Sequence, residues 1–312
     1  MNKIVILTGY TGVGKTAISI ELAKALNAEI ISCDSLLVYK HLNIGTAKPT
    51  AEEQQIIPHH CIDIAEPDTQ FDVQQYISYA KKAVTDIFDR KKNVLVVGGT
   101  GFYLKSFFSP VIDDIKITPE ADQFVDVAIK NHTPEILVQK LLDLNDGQVD
   151  IDLKNIRRVS SALKRCLSSN MTCTEIKNKF HRQQSAFARY KKFTVLLTRE
   201  DADLKIKIRH RIETMLKSGL IAEVEQLLKN KQFNDINRTA IGYRETIQWL
   251  SDKTSTEDLL EKIYHDTWKL VKKQKTWFKK QIPIDFEYNI SNQSSTEIIR
   301  HLLSKTASFL HV

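Results

Sequence analysis

Residues 3–16 read KIVILTGYTGVGKT, and this stretch decides the fold. Lys3 to Thr8 is a β-rich apolar run, and Lys15 to Leu26 places Ile18, Leu22 and Leu26 at a helical period. Between them, Gly9-Tyr10-Thr11-Gly12-Val13-Gly14-Lys15-Thr16 fits the pattern G-x-x-x-x-G-K-[ST]. In that pattern glycines let backbone N–H groups face a phosphate, and the helix N-terminus adds its positive end. Lys15 neutralises charge and Thr16 is the candidate ligand for Mg²⁺. A second strand, Glu29 to Ser32, follows the Asn27-Ala28 turn, giving a βαβ unit with parallel strands and a right-handed crossover.

Working outward, Asp34 to Asp68 has few periodic signals and contains Pro49, Pro58 and Pro67. It reads as a long ordered loop, and such loops in compact domains usually carry function. Val73 to Phe88 is expected as a helix, and Asn93 to Val97 as a buried strand ending in Gly98-Gly99-Thr100-Gly101, with a helix over Phe102 to Phe108. From Ser109 to about Tyr190 the β signal vanishes and short amphipathic helices are expected, before Phe193 to Thr198 resumes the sheet. Beyond it lie a helix over Leu204 to Leu228 with an irregularity or break at Gly219, then helices over Thr239 to Leu250 and Glu257 to Lys280. The expected architecture is α/β: a P-loop NTPase-like parallel sheet flanked by helices, residues 1–108 plus 191–312, with an inserted all-helical domain over 109–190.

The chain has 312 residues, 42% hydrophobic and 27% charged, with 10 Gly and 7 Pro, which suits a packed globular protein and opposes long disorder. Its apolar runs are strand-sized, far below the roughly 20 residues of a membrane span. No secretory signal is visible, so a cytoplasmic protein is expected. Cys33, Cys61, Cys166 and Cys173 show no zinc-ligand or disulfide spacing and read as reduced, mostly buried side chains. A net charge of +7 favours a polyanionic partner without identifying one.

The P-loop fixes the ligand group and leaves the reaction open, because one cradle holds ATP or any diphosphate ester. Cys33-Asp34-Ser35 puts a carboxylate at the carboxyl edge of the sheet, where it could ligate Mg²⁺, cap a helix or act as a general base. A Walker B strand would normally end in an Asp for Mg²⁺. Here Gly98-Gly99-Thr100 stands at a strand end instead, which disfavours an ordinary ATPase.

With these pieces in order the sequence resembles the tRNA dimethylallyltransferases. The resemblance rests on Gly9 to Thr16, Asp34-Ser35 with Val38-Tyr39, Asn43 to Pro49, Pro58-His59-His60, Ile62-Asp63 and Gly98 to Thr100. Later come Gly219-Leu220, Glu223-Val224, Ala240 to Glu245, Gln274 and Trp277-Phe278. It implies transfer of a dimethylallyl group from dimethylallyl diphosphate to N6 of adenine 37 in tRNAs reading codons that start with U, with Mg²⁺ as cofactor. It further implies Asp34 as base, Thr100 and Lys15 as catalytic partners, and Gly9 to Thr16, Lys207 and Arg211 as diphosphate ligands. The tRNA anticodon stem-loop falls to Asp34, Ser35, Leu36, Leu37, Thr100, Asp126, Arg157, Arg158, Val159, Ser160, Ser161, Ala240, Ile241, Gly242, Tyr243 and Arg244, with the basic Lys272 to Lys280 tract beside them. The enzyme is expected to work as a monomer.

The chain departs from the family pattern in places. Leu37 stands where Gln is usual, Asp126 and Ser161 replace arginines, Lys207 replaces another, and Trp268 follows Thr267 where Arg is usual. These changes leave the diphosphate chemistry intact and bear on the acceptor. The rival readings are a small-molecule kinase, a prenyltransferase of free nucleotides, and an RNA-binding module with a relict P-loop.

Overall fold

The computed structural model describes residues 2–252 and 254–311. Among them one parallel sheet is formed by β1 (Lys3–Gly9), β2 (Ala28–Cys33), β3 (His59–His60), β4 (Asn93–Gly98), β5 (Lys191–Thr198) and β6 (Phe286–Asn289), side by side as β3-β2-β4-β1-β5-β6. The helices are α1 (Lys15–Ala25), α2 (Ala51–Ile56), α3 (Val73–Asp89), α4 (Gly101–Lys105), α5 (Pro119–Lys130), α6 (Pro134–Asp143) and α7 (Ile156–Ser169). They continue as α8 (Cys173–His181), α9 (Asp201–Lys217), α10 (Leu220–Lys229), α11 (Tyr243–Asp252), α12 (Thr256–Gln281) and α13 (Ser295–His311).

The central strands are apolar throughout because both of their faces are covered. Ile4 and Ile6 of β1 enter one core with Val94, Val96 and residues of α3, α9, α10 and α12. Val5 and Leu7 enter the other with Leu95, Val195 and residues of α1 and α13. The register aligns Thr8 with Gly98, Cys33 with Gly98 and Gly9 with Leu197. The segments leaving β1, β2, β4 and β5 therefore emerge along one edge of the sheet, where open α/β folds bind ligands.

The chain divides into two compact units, Met1–Ser109 with Ala186–Val312, and Pro110–Ser185. The boundary expected at 190 falls at 185 because Phe187 and Tyr190 are buried in the first unit, where Phe187 stacks on Phe107 and Tyr190 on Phe88. The second unit is helical, α5 to α8 around Val125, Leu137, Leu141, Val159 and Leu163. Gly219, at φ 99°, lies between α9 and α10, so of the irregularity or break expected there the structure shows a break. The helix expected from Thr239 begins only at Tyr243, after a 3-10 turn over Asn237–Thr239 and Gly242 at φ 96°.

One glycine is fixed by close approach of two strands. A Cβ on Gly98 would lie 2.1 Å from the Cys33 carbonyl oxygen, a clash with backbone that no rotamer change relieves. Gly98→Ala is expected to destabilise the protein by about 3 kcal/mol, lowering the thermal unfolding midpoint by about 6–12 °C. A midpoint within a degree or two of the parent would contradict this packing.

Candidate active site

Gly14 takes φ 100° at the start of α1, a conformation that disfavours any side chain, and α1 begins with neither a side-chain cap nor an acidic residue in its first turn. Its first N–H groups are thus left for an exogenous anion. Lys15 Nζ folds back onto the loop, donating to the carbonyls of Gly9 at 2.8 Å and Tyr10 at 3.0 Å. Burial and the neighbouring Arg211 lower the Lys15 pKa to about 8, against the opposing pull of Asp34. Arg211 is itself lowered by burial and donates to the Thr46 carbonyl at 3.1 Å. Two desolvated cations beside one carboxylate leave local positive charge that an anionic ligand would neutralise.

Two side chains hold the P-loop from outside it. Arg199, just past β5, donates from Nε to the Val13 carbonyl at 2.9 Å and pairs with Asp203 at 2.6 Å. Gln274 of α12 accepts from the Thr11 N–H at 2.9 Å. Neither role is legible in the P-loop pattern. Tyr10 and Val13 are buried, so their side chains face the protein and only their backbone is offered to a ligand.

Across β2 and β4, Thr100 meets the residues on either side of Asp34, its N–H donating to the Cys33 carbonyl. The Ser35 N–H donates to Thr100 Oγ1 at 3.0 Å, and Asp34 Oδ1 accepts from the Leu36 N–H at 2.9 Å. No helix begins at Asp34, so it closes a turn rather than capping a helix.

The opposite wall comes from the long loop. Glu223, in the first turn of α10, accepts the N–H groups of Asn43 (3.0 Å), Ile44 (2.8 Å) and Gly45 (3.1 Å) and the hydroxyl of Tyr243 (2.7 Å). Lys48 is buried and donates to the Tyr39 carbonyl at 2.7 Å, so the loop's only cation between Asn43 and Pro49 is structural. Within the first unit these walls enclose a cavity of about 960 Å³ lined by Thr11, Gly12, Gly14, Lys15, Thr16, Asp34, Ser35, Thr100, Lys207 and Arg211. Leu36, Leu37, Ala240, Ile241 and Gly242 line it too, and Ile208, Ile212, Met215, Ile263 and Trp277 supply an apolar side.

Several residues expected to contact RNA have side chains engaged within their own unit. Tyr243 is fully buried with its hydroxyl on Glu223, so it cannot offer its ring to RNA. Val159 and Ser160 face the core of the helical unit, because α7 turns its apolar stripe inward there. Arg244 is tied to Glu245 and Asp266. Arg157, Arg158 and Ser161 are exposed on α7. Asp126 pairs with Lys164 at 3.0 Å, and Ser161 accepts from Arg165 at 2.9 Å.

A family model described as IPP transferase matches residues 37–281. A tRNA dimethylallyltransferase of Opitutus terrae is 41% identical over 280 residues, covering 89% of this chain and 90% of that protein. One of Alkaliphilus metalliredigens is 34% identical over 317 residues, 99% of each. Among solved structures, a tRNA isopentenylpyrophosphate transferase from Bacillus halodurans superposes with TM-score 0.73 at 28% identity, over 100% of this chain and 97% of that one. A eukaryotic dimethylallyltransferase acting on tRNA shares the fold, with TM-score 0.85 at 24% identity over 100% and 80% of the two chains.

Two outcomes follow from this geometry. Lys15 is charged below about pH 8, so the gain in inorganic diphosphate affinity over Lys15→Met, a comparison in which the ligand's own ionisation cancels, is expected by titration calorimetry to hold from pH 6 to 7.5 and to fall by up to about tenfold per pH unit above 8. A gain that stays level to pH 9.5, or no gain at any pH, would contradict a lowered Lys15 in the anion seat. Glu223→Gln replaces an acceptor of four hydrogen bonds by a group with half the capacity, and is expected to destabilise the protein by about 1–3 kcal/mol. Diphosphate affinity should weaken with it, since Arg211 leans on the same loop; unchanged melting and affinity would show that the loop stands without Glu223.

Proposed function

The chain belongs to the IPP transferase family, and on that premise we propose that it transfers a dimethylallyl group from dimethylallyl diphosphate to N6 of adenine 37 in tRNAs that read codons starting with U. Diphosphate is released and N6-dimethylallyladenosine forms. The observation that carries this reading is the cavity of about 960 Å³, lined at once by a phosphate seat, a carboxylate, a hydroxyl and an apolar wall.

The chemistry follows from those groups. The N6 amine attacks the allylic carbon as its bond to the diphosphate oxygen breaks, and the oxygen keeps the electron pair. Lys15, Arg211 and the P-loop N–H groups neutralise the charge that develops there, a preorganised arrangement of the kind that lowers barriers most. Asp34 takes the N6 proton, and Thr100, whose hydroxyl accepts from Ser35, sits beside it to orient the amine. Ile208, Ile212, Met215 and Ile263 keep water from the allylic carbon. Lys207 adds positive charge at the cavity.

Mg²⁺ fits the donors present: Thr16 and Asp34 line the same cavity, and among the described residues no cluster of three or more acidic, His or Cys side chains would hold an ion without a ligand's oxygens. Thr16 would hold it, and it would supply charge to the bound diphosphate. The intact Lys15, Asp34 and Thr100 oppose a relict site.

Extruding the adenine from the anticodon loop costs a few kcal/mol. Exposed Arg157 and Arg158 in the helical unit, and Lys272, Lys273, Lys279 and Lys280 on α12, offer phosphate contacts that offset it. No described helix is long and apolar enough to cross a membrane, and the protein acts as a cytoplasmic monomer in this reading.

Incubation with dimethylallyl diphosphate, Mg²⁺ and unmodified tRNA is expected to yield prenylated adenosine by nucleoside mass spectrometry, and no product with any tRNA would sink the proposal. Asp34→Ala is expected to keep tRNA binding and lose about 10²–10⁴-fold in turnover. Unchanged turnover would remove Asp34 from the base role.

A further inference from the structure

Phe102 follows the Thr100 hydroxyl by two residues and is 64% exposed, while the next two residues of α4, Tyr103 and Leu104, are 4% and 0% exposed. Phe102 lines the same cavity as Lys15, Asp34 and Thr100. A single exposed apolar side chain is ordinary on a surface. One that borders a reaction cavity on a rigid support calls for an occupant.

The support is rigid for three reasons. Tyr103 stacks on Tyr76 with ring centroids 4.0 Å apart and planes 13° from parallel, in the buried core. Gly101 lets the Trp277 indole come so close that a Cβ there would sit 2.8 Å from it. Lys105 donates to Gln281 Oε1 at 2.9 Å, joining the end of α4 to the end of α12. A ring on such a support presents a fixed face and loses little freedom on contact.

We propose that Phe102 is a positioning residue whose ring stacks on a nucleobase flanking the acceptor adenine, replacing the stacking that base loses when the adenine is drawn into the cavity. The inference rests on the prenyl-transfer reading. The dimethylallyl chain is the weaker occupant: its diphosphate end is fixed near Lys15 and Arg211, and Ile208, Ile212, Met215 and Ile263, largely buried, already form an apolar wall. A five-carbon chain needs no second, water-facing ring. A nucleobase has a flat π face to offer, and stacking on an aromatic side chain is the common way single-stranded RNA is held.

The test compares the parent protein with Phe102→Ala and Phe102→Trp. RNA affinity is read by fluorescence anisotropy with anticodon stem-loops, and stacking by the emission of 2-aminopurine placed on either side of the acceptor. Steady-state prenylation gives KM and kcat for both substrates. Phe102→Ala is expected to weaken RNA binding and raise the RNA KM about five- to a hundredfold, with kcat at saturating RNA and the KM for dimethylallyl diphosphate unchanged. Phe102→Trp should restore the affinity, and 2-aminopurine at one flanking position should be quenched by the parent and the Trp variant but not by the Ala variant. Unchanged RNA affinity in Phe102→Ala, a raised KM for dimethylallyl diphosphate alone, or equal 2-aminopurine emission in all three proteins would each overturn it. A parent that binds the stem-loop and quenches 2-aminopurine yet makes no product would refute the prenyl-transfer reading and leave the stacking standing.

Discussion

One carboxylate holds the reactive face of this protein together. Glu223 takes three consecutive backbone N–H groups from a segment 178 to 180 residues earlier and a phenol 20 residues later, and so turns Asn43–Gly45 from a length of loop into a wall. Ordering a loop this long is opposed by conformational entropy of about 1–2 kcal/mol per residue, which scattered surface contacts would not offset. The wall reaches the chemistry through one further step: the Thr46 carbonyl is where Arg211 rests, and Arg211 faces Lys15. The position of a cation in the cavity therefore depends on a carboxylate that does not line it.

The phosphate seat is built on the same logic of external support. Lys15 and Arg211 are held where burial weakens their hold on protons, a local electrostatic penalty that the rest of the fold must sustain. Arg199 and Gln274 brace the loop, one from the end of β5 and the other from α12. Gln274 shares its helix with Trp277 and the exposed lysines of the C-terminal tract, so one 26-residue helix touches the phosphate seat, the floor beneath Gly101 and a basic surface. A leaving group that is born as a dense anion benefits most from charges that need not reorganise as it departs.

What could be read from the sequence was whatever has a local physical cause. The β1 to α1 turn is legible because glycines and an apolar run constrain their own neighbours, and Gly219 is legible because a positive φ ends a helix wherever it occurs. The strand β6 escaped because it is four residues with alternate positions exposed, and α13 escaped because its buried face, Ile298 and Leu302, is defined by α1 and the sheet. Tyr243 shows the limit more sharply. A Tyr beside an Arg in a basic region reads equally as RNA contact or as packing, and only Glu223, twenty residues away, decides that the hydroxyl points inward. Arg199 carries no local signal at all, since its task is set by a carbonyl 186 residues distant.

The charge lost in the helical unit is likewise decided by contacts distant in sequence. Read along the chain, Ser161 and Asp126 in place of arginines empty a surface of positive charge. In three dimensions Ser161 accepts a hydrogen bond from Arg165, one helical turn further on, and Asp126 of α5 is matched by Lys164 of α7. Arg165 also meets Asp113, and Lys164 also meets Asp122, so both cations are shared and held in defined places. Arg158 and Arg165 border the same shallow pocket as Ser161, together with Asp150 and Asp152. The unit has exchanged free cations for a network in which acids and bases are interleaved. Interleaved acids weaken non-specific attraction for a polyanion, and the Arg165 guanidinium is held in one place between Asp113 and Ser161.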